Sequence, residues 1–527
     1  MERKRLSVAR SPAARGAVAG AVAALCAAAG SAAGPAAAAG RRPARTYEPR
    51  WQSLKGVPVP AWFDDGKFGI FIHWGPYSVI GHRKGGRGYA EHVPKMIYAD
   101  PEYYYPYLEK RFGAHPPAFG YKDFVRRFKA EKWDPDAWAD LFVRAGARYV
   151  VLTGEHHDGY AMWDSKLTDW CATKVGPMRD LVGDLGKACR ARGLKYAPSY
   201  HRERHTGFFA MHRYAVRSEP RPDIAEEIRR EPKAAGLYGP FSYTDEFIRD
   251  YMARWKELQA NYRPDFMWID DIPIFYKAKQ DPQTRKFRDT FQSLIADYLN
   301  DAASRGKAVY LNNKGRNVNW PVECGCREKD NLKLERIGPK WQNPATLGTS
   351  YGYMADEEKR DAYKSPAELI RLLCDTVSKN GNLLLNIGPR ADGTIPEGMQ
   401  KRLLAVGGWL KVNGEAIYGT RPWKTPAQKG RPELRFTTKG KTLYVLCLAE
   451  PKAAFTVTGL KGAKPGDVQG VRMLGSDAKV AWKLGDDGLT IIAPPKAAGK
   501  HVWGFAVGCR SAPATPARTV FSAGAGT

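Results

Sequence analysis

The stretch RYVVLTGEHHDGYAMWDSKLTDW, residues 148–170, decides how the chain is read. Tyr149-Val150-Val151-Leu152-Thr153 is an apolar, β-branched run, the composition of a strand buried on both faces. Glu155, His156, His157 and Asp158 follow at once, and Gly159 closes the segment. A buried strand that ends in hydrogen-bonding side chains presents them at its carboxyl end. Parallel α/β proteins keep their ligand sites there. The segment is therefore expected to form one wall of a site.

The same design recurs on either side. Lys67–Gly75 is an apolar run ending in His73-Trp74-Gly75, and Phe266–Asp271 is another, ending in two carboxylates. Further strands are expected over 194–200, 308–313 and 382–389. Amphipathic helices fall between them, over 180–193, 286–304, 366–379 and 396–412. Trp133-Asp134-Pro135 announces one more, with Asp134 as N-cap and Pro135 at the first helical position. Alternation sustained from about residue 62 to 420 predicts an α/β fold, a (β/α)8-like TIM barrel. After Trp423 the runs become short and are separated by Gly, Pro and Asp, which predicts a C-terminal antiparallel β-sandwich. The expected division is a signal peptide or low-complexity segment over 1–40, the barrel over 41–422, the sandwich over 423–510 and a disordered tail over 511–527.

The N-terminus supports export. Arg3, Lys4, Arg5 and Arg10 precede an Ala/Val-rich stretch and a small-residue zone ending near Gly40, the plan of a signal peptide. No later run reaches the roughly 18 apolar residues of a membrane span. The net charge of +28 raises nucleic acid as a partner, but the basic residues are dispersed and form no nucleic-acid-binding signature. The plain reading of such a charge is a generally basic soluble protein; the alternative is an anionic partner such as a sulfated or uronic polysaccharide. The 8 cysteines have no regular spacing, so neither a disulfide scaffold nor a structural zinc site is expected, and no cofactor is implied.

The strand ends converge on His73, Glu91, His156, His157, Tyr200, Asp270 and Asn386. There is no serine elbow, phosphate loop or dinucleotide fingerprint. Carboxylates, imidazoles and aromatics suit glycoside hydrolysis, which needs one carboxylate as nucleophile and a second carboxyl as acid/base. Imidazoles would hold the sugar hydroxyls.

Here the sequence resembles glycoside hydrolase family 29, the α-L-fucosidases. The resemblance is carried by KFGIFIHWGPYSV (67–79), YAEH (89–92), GARYVVLTGEHHDGYAMWDSKLTDW (146–170), FMWIDD (266–271) and SKNGNLLLNIGPRADGTIPEGM (378–399). It implies a retaining, exo-acting hydrolase of terminal α-L-fucose on a (β/α)-barrel with a C-terminal β-sandwich, and no metal ligands are expected. It also implies that Asp270 is the nucleophile. Strand alternation agrees, because Asp270 shares a side with Trp268 and Phe266 while Asp271 faces the other way. His73, Glu91, His156 and His157 match the fucose-hydroxyl ligands, with Trp74, Tyr200, Trp268 and Arg316 counted as further substrate contacts. The acid/base is sought among Glu323, Glu328 and Glu335; Glu328, twelve residues after Arg316, is the first choice and Glu323 the second. Glu155 precedes the matched histidine pair and is read as structural support. Trp341-Gln342 stands where many members have Trp-Glu, and Ser199-Tyr200-His201 departs from the common pattern after the third motif. Open alternatives are an exo-glycosidase for a fucose-like sugar such as an α-L-galactoside, or a lapsed carbohydrate-binding protein.

Overall fold

The computed structural model describes residues 46–86, 88–210, 219–270, 282–312, 314, 325–327, 339–494 and 499–516. Its central sheet comprises β1 (Phe68–Ile72), β2 (Tyr149–Glu155), β3 (Lys195–Tyr200), β4 (Phe266–Ile269), β5 (Tyr310–Leu311), β6 (Gly325–Cys326), β7 (Trp341–Thr346) and β8 (Gly381–Ile387). The order is β5-β4-β3-β2-β1-β8-β7-β6, and the pairings are parallel. The first and last strands are neighbours, so the sheet curls as a TIM-like barrel does. Strands β1, β2 and β8 are buried at every position, as their unbroken apolar runs require.

Helices cover the outside as the sequence indicates. Asp134 caps Pro135–Arg144 by accepting from the Ala137 N–H, and Asp180 caps Leu181–Ala191 by accepting from the Gly183 N–H. Strands β6 and β7 are not among the expected ones. Gln342, Asn343 and Pro344 disguise β7 as a loop, yet Gln342 and Asn343 are buried with side-chain partners.

Side chains fill the barrel interior in layers. Low in the barrel, Phe63 stacks on Tyr310 at 4.1 Å, with Tyr149 and Phe266 beside them. Gly69 faces Tyr149, and a Cβ there would lie 2.4 Å from the ring, so only glycine fits. Above this layer the Trp268 Nε1–H donates to Gln342 Oε1 at 3.2 Å, and Gln342 Nε2 donates to the Tyr149 hydroxyl at 3.1 Å. The unusual Gln342 is thus a neutral amide bridge in the barrel interior, where its two ends need both a donor and an acceptor. At the end of β2 the register with β3 shifts between Thr153 and Glu155. Gly154 lies in this bulge, where a Cβ would come within 3.1 Å of Pro198 Cβ. A bulge re-aims the chain, and here it does so immediately before His156-His157.

The C-terminal strands are β9 (Arg421–Gln428), β10 (Leu434–Lys439), β11 (Thr442–Cys447), β12 (Ala454–Val457), β13 (Val468–Met473), β14 (Ala481–Gly485), β15 (Gly488–Ile492) and β16 (Trp503–Cys509). They form antiparallel sheets of order β13-β16-β11-β10-β9 and β12-β15-β14. Phe436, Val445 and Phe505 of one sheet share a core with Phe455, Leu489 and Ile491 of the other, which makes a sandwich. Its outer face joins the barrel core through Tyr444, Leu446, Val502 and Ala506. The Trp409 indole donates to the Val502 carbonyl at 2.8 Å, and the buried Arg435 guanidinium pairs with Asp375. Part of the expected disordered tail is described: the Lys424 N–H donates to the Ala514 carbonyl, and 517–527 lie outside the described residues.

Candidate active site

Four buried histidines gather at the carboxyl ends of β1, β2 and β3: His73, His156, His157 and His201. Their rings form a continuous wall, with centroids 4.3 Å apart for His156–His157, 4.7 Å for His156–His201 and 5.6 Å for His73–His201. Trp268 lies under them, 5.2 Å from His201. Asp270, directly after β4, faces the wall: His157 Nε2 is 3.3 Å and His201 Nδ1 3.8 Å from its Oδ2.

Hydrogen bonds orient the rings. Asn386 Nδ2 donates to the Tyr351 carbonyl at 2.7 Å, so its Oδ1 accepts from His73 Nδ1–H at 2.7 Å. This leaves the lone pair of His73 on Nε2. His157 Nδ1–H donates to the His201 carbonyl at 2.8 Å, and His201 Nε2 meets Ser199 Oγ at 2.9 Å. His156 Nδ1 is buried and has no hydrogen-bond partner among the described residues, as expected of an atom reserved for a ligand hydroxyl.

Burial holds His73 and His156 well below the usual imidazole range, and pushes His157 down to about 4 against the pull of Asp270. Three rings of the wall, His73, His156 and His157, are therefore held neutral and offer lone pairs and N–H groups, the set that suits sugar hydroxyls. Asp270 behaves oppositely. Burial is the largest single influence and acts to raise it, but the Lys314 ammonium together with His157 and His201 outweighs burial and holds it well below the usual carboxylate range. A buried carboxylate kept ionised is a nucleophile in its reactive state. His73, His156 and His201 bring ring nitrogens within 4.8 Å of one another, as do the ligand atoms of His157, His201 and Asp270. Either trio could hold a cation with the lone pairs that a sugar would use.

Two expected contacts are corrected. Tyr200 points out of the barrel: it is fully buried, and its hydroxyl donates to the Tyr251 carbonyl on the helix Asp245–Tyr262. Trp74 also turns away, packing among Phe128, Trp133 and Trp138 while its indole donates to the Arg390 carbonyl at 2.8 Å. In each case the neighbouring histidine, His201 or His73, takes the inward position, as strand alternation demands. Trp268 faces inward as read. Glu91 is buried beside the site and accepts from the Gly352 N–H at 2.7 Å. Arg316, Glu323, Glu328, Glu335 and Asp271 lie outside the described residues.

Lys314, Arg204 and His92 were not foreseen. Lys314 follows β5 and Arg204 follows β3, with Arg204 Nε 4.0 Å from Asp270; strand-end position was the available signal. His92, beside Glu91, has its ring 5.7 Å from His157. Lys314→Met is expected to raise the Asp270 pKa, because the opposing charge is lost. The acid limb of the kcat/KM profile should then move to higher pH by roughly one unit or more; an unmoved limb would remove Lys314 from this role.

Glu155 faces away from the pocket. Its carboxylate pairs with Arg202 and Arg254, and both arginines also pair with Asp250. Its backbone carbonyl accepts from the His201 N–H at 2.9 Å.

The Alpha-L-fucosidase family model matches residues 36–415. The tissue alpha-L-fucosidase of Homo sapiens is 33% identical over 475 residues, covering 86% of this chain and 89% of that protein. The alpha-L-fucosidase of Dictyostelium discoideum is 33% identical over 452 residues, 80% of this chain and 88% of that protein. The crystal structure of Thermotoga maritima alpha-fucosidase superposes with a TM-score of 0.70 at 32% identity, covering 88% of this chain and 100% of that one.

Proposed function

The chain belongs to the α-L-fucosidase family, a retaining exo-glycosidase family, and on that premise we propose which of its residues carry out the reaction. Asp270 is the nucleophile. Its carboxylate attacks the anomeric carbon as the bond to the leaving oxygen breaks, and the acid/base carboxyl gives that oxygen its proton. A covalent fucosyl ester forms on Asp270. Water then attacks the same carbon, loses a proton to the acid/base and returns the free carboxylate. His73, His156, His157 and His201 hold the sugar hydroxyls, and Trp268 forms the floor beneath them. The observation that carries this reading is the buried, ionised Asp270 facing a wall of buried imidazoles.

Chain direction supports Glu328 over Glu323 as the acid/base. Glu328 follows Arg327, whose N–H donates to the Gln342 carbonyl just past the carboxyl end of β6. Glu323 comes before β6 in the sequence, whereas barrel enzymes place their working groups after the carboxyl ends of strands. For Glu328→Ala, aryl α-L-fucosides with good leaving groups should lose far less rate than alkyl fucosides, since only the latter need the proton. Equal losses on both would point to Glu335 or Glu323.

The substrate is a fucosylated glycan or glycoconjugate. Release of aryl alcohol from an aryl α-L-fucoside, compared with the matching α-L-galactoside, tests the sugar; faster turnover of the galactoside would reassign it. The basic, small-residue N-terminus supports export through a signal peptide, and no helix among the described residues is long and apolar enough to cross a membrane. The charge of +28 supports an anionic polysaccharide as the polymer that carries the fucose.

A further inference from the structure

The three-stranded sheet β12-β15-β14 is the sandwich layer away from the barrel, because the five-stranded sheet supplies the residues that join the barrel core. Strand β14 is one of its edges. There Trp482 lies opposite Ile491 and Leu484 opposite Leu489, two residues fully buried in the sandwich core. Residues opposite each other in an antiparallel pair share a face, so Trp482 and Leu484 belong to the inner face. Leu484 packs on the core, yet Trp482 is left 36% exposed. The other large hydrophobic side chains exposed among the described residues are aliphatic. An indole on the core-facing side of a sheet that its own core leaves uncovered is a contact surface with an apolar body and a wet rim.

A cavity of about 510 Å³ opens at this edge, a volume within the roughly 300–1,000 Å³ of small-ligand sites. Trp482 and Leu484 line it from β14 and Val468 from the start of β13. Lys461 lines it from the loop before β13, and Asp486 from the turn after β14. The set suits a sugar. A pyranose has an apolar C–H face that packs on an indole, and its hydroxyls both give and take hydrogen bonds, so the Lys461 ammonium donates to them and the Asp486 carboxylate accepts from them. With one charge of each sign at hand, an ion of either sign meets a like charge, which favours an uncharged ring. A strand from a second copy is disfavoured on this edge, since Lys483 of β14 is exposed and a charged side chain blunts strand pairing.

We propose that the cavity is a second, non-catalytic carbohydrate-binding site, in which Trp482 stacks on an uncharged ring of the polysaccharide that carries the fucose. Lys461 and Asp486 hold the hydroxyls of that ring. The choice of polymer rests on the fucosidase reading. The site contains no reacting group; holding the polymer there raises its effective concentration at the histidine wall between cleavage events.

The test is calorimetric titration of the full-length protein, with and without excess L-fucose to fill the catalytic site, against a neutral fucosylated xyloglucan and a sulfated fucan. At least one polymer should bind in the presence of L-fucose, and Trp482→Ala should weaken that binding roughly tenfold or more, as loss of a tryptophan anchor does. Trp482→Leu keeps an apolar side chain on the inner face, so it should retain the melting temperature and still lose the binding. Aryl α-L-fucoside, which reaches the histidine wall alone, is the internal reference: the ratio of polymer to aryl kcat/KM should fall in both variants, through KM. Four results would overturn the proposal: no binding of either polymer, binding that L-fucose abolishes, equal binding by Trp482→Leu, or a Trp482-dependent dimer in sedimentation in place of polymer binding. Hydrolysis of aryl fucoside without Trp482-dependent binding would overturn the second site alone. Trp482-dependent binding without hydrolysis of any fucoside would uphold it and overturn the fucosidase reading.

Discussion

Asp270→Gly is expected to lose about four orders of magnitude or more in kcat/KM for an aryl α-L-fucoside, because the covalent path closes with its nucleophile. The substitution opens a small space where the carboxylate stood, between His157, His201 and Lys314. Azide is small, anionic and attracted by the same Lys314 charge. It should attack the anomeric carbon from the vacated side, restore aryl alcohol release and give a fucosyl azide of inverted configuration. Two results would sink the assignment: turnover within about tenfold of the unsubstituted enzyme, or rescue that yields the retained azide. The circular dichroism spectrum should be unchanged, since the site's remaining groups are held by their own partners. His73 is bound to Asn386, His157 to the His201 carbonyl and Trp268 to Gln342.

The second large effect is expected away from the reacting atoms. Glu155→Gln removes the charge that both Arg202 and Arg254 face in the buried cluster behind β2. Asp250 alone would then answer two guanidinium groups that are 3% and 4% exposed. Breaking a buried ion pair by removing one partner costs about 3–5 kcal/mol, more than the pair itself contributes, because the remaining charge stays desolvated. A fall in melting temperature of several degrees is the first readout. The second is activity. Arg202 directly follows His201, whose N–H is held by the Glu155 carbonyl and whose carbonyl holds His157. Loosening the cluster should loosen the two histidines closest to Asp270, so kcat/KM should fall by roughly tenfold or more. A variant with full activity and an unchanged melting temperature would show that the cluster neither stabilises the barrel nor positions the wall.

Most of the barrel can be read from the chain because its inner strands are long apolar runs that stop at polar residues. Phe68–Ile72, Tyr149–Glu155 and Gly381–Ile387 are of this kind. Strand β7 escaped because Gln342 and Asn343 look like loop residues until their buried partners are known. The site was legible to the same extent. Asp270 and the histidine pair follow from strand ends and from the family motifs. Tyr200 and Trp74 were misplaced because the alternation rule applied to Asp270 was not applied to them. With Ser199 facing inward, His201 must follow it, and Tyr200 must face the helix. Lys314 carries no motif. Its role comes from a tertiary approach to Asp270 that the sequence does not record.

The seam between barrel and sandwich bears on how the molecule loses its structure. Arg435 is anchored on Asp375 in the helix Pro366–Ser378, which packs on β8, and β8 carries the Asn386 that orients His73. With Tyr444, Leu446, Val502 and Ala506 counted in the barrel's own core, the sandwich is a load-sharing part of one cooperative unit. Damage to its barrel-facing side would propagate along that chain of contacts to the sugar-binding histidine, so a lesion far from any substrate could present itself as a binding defect.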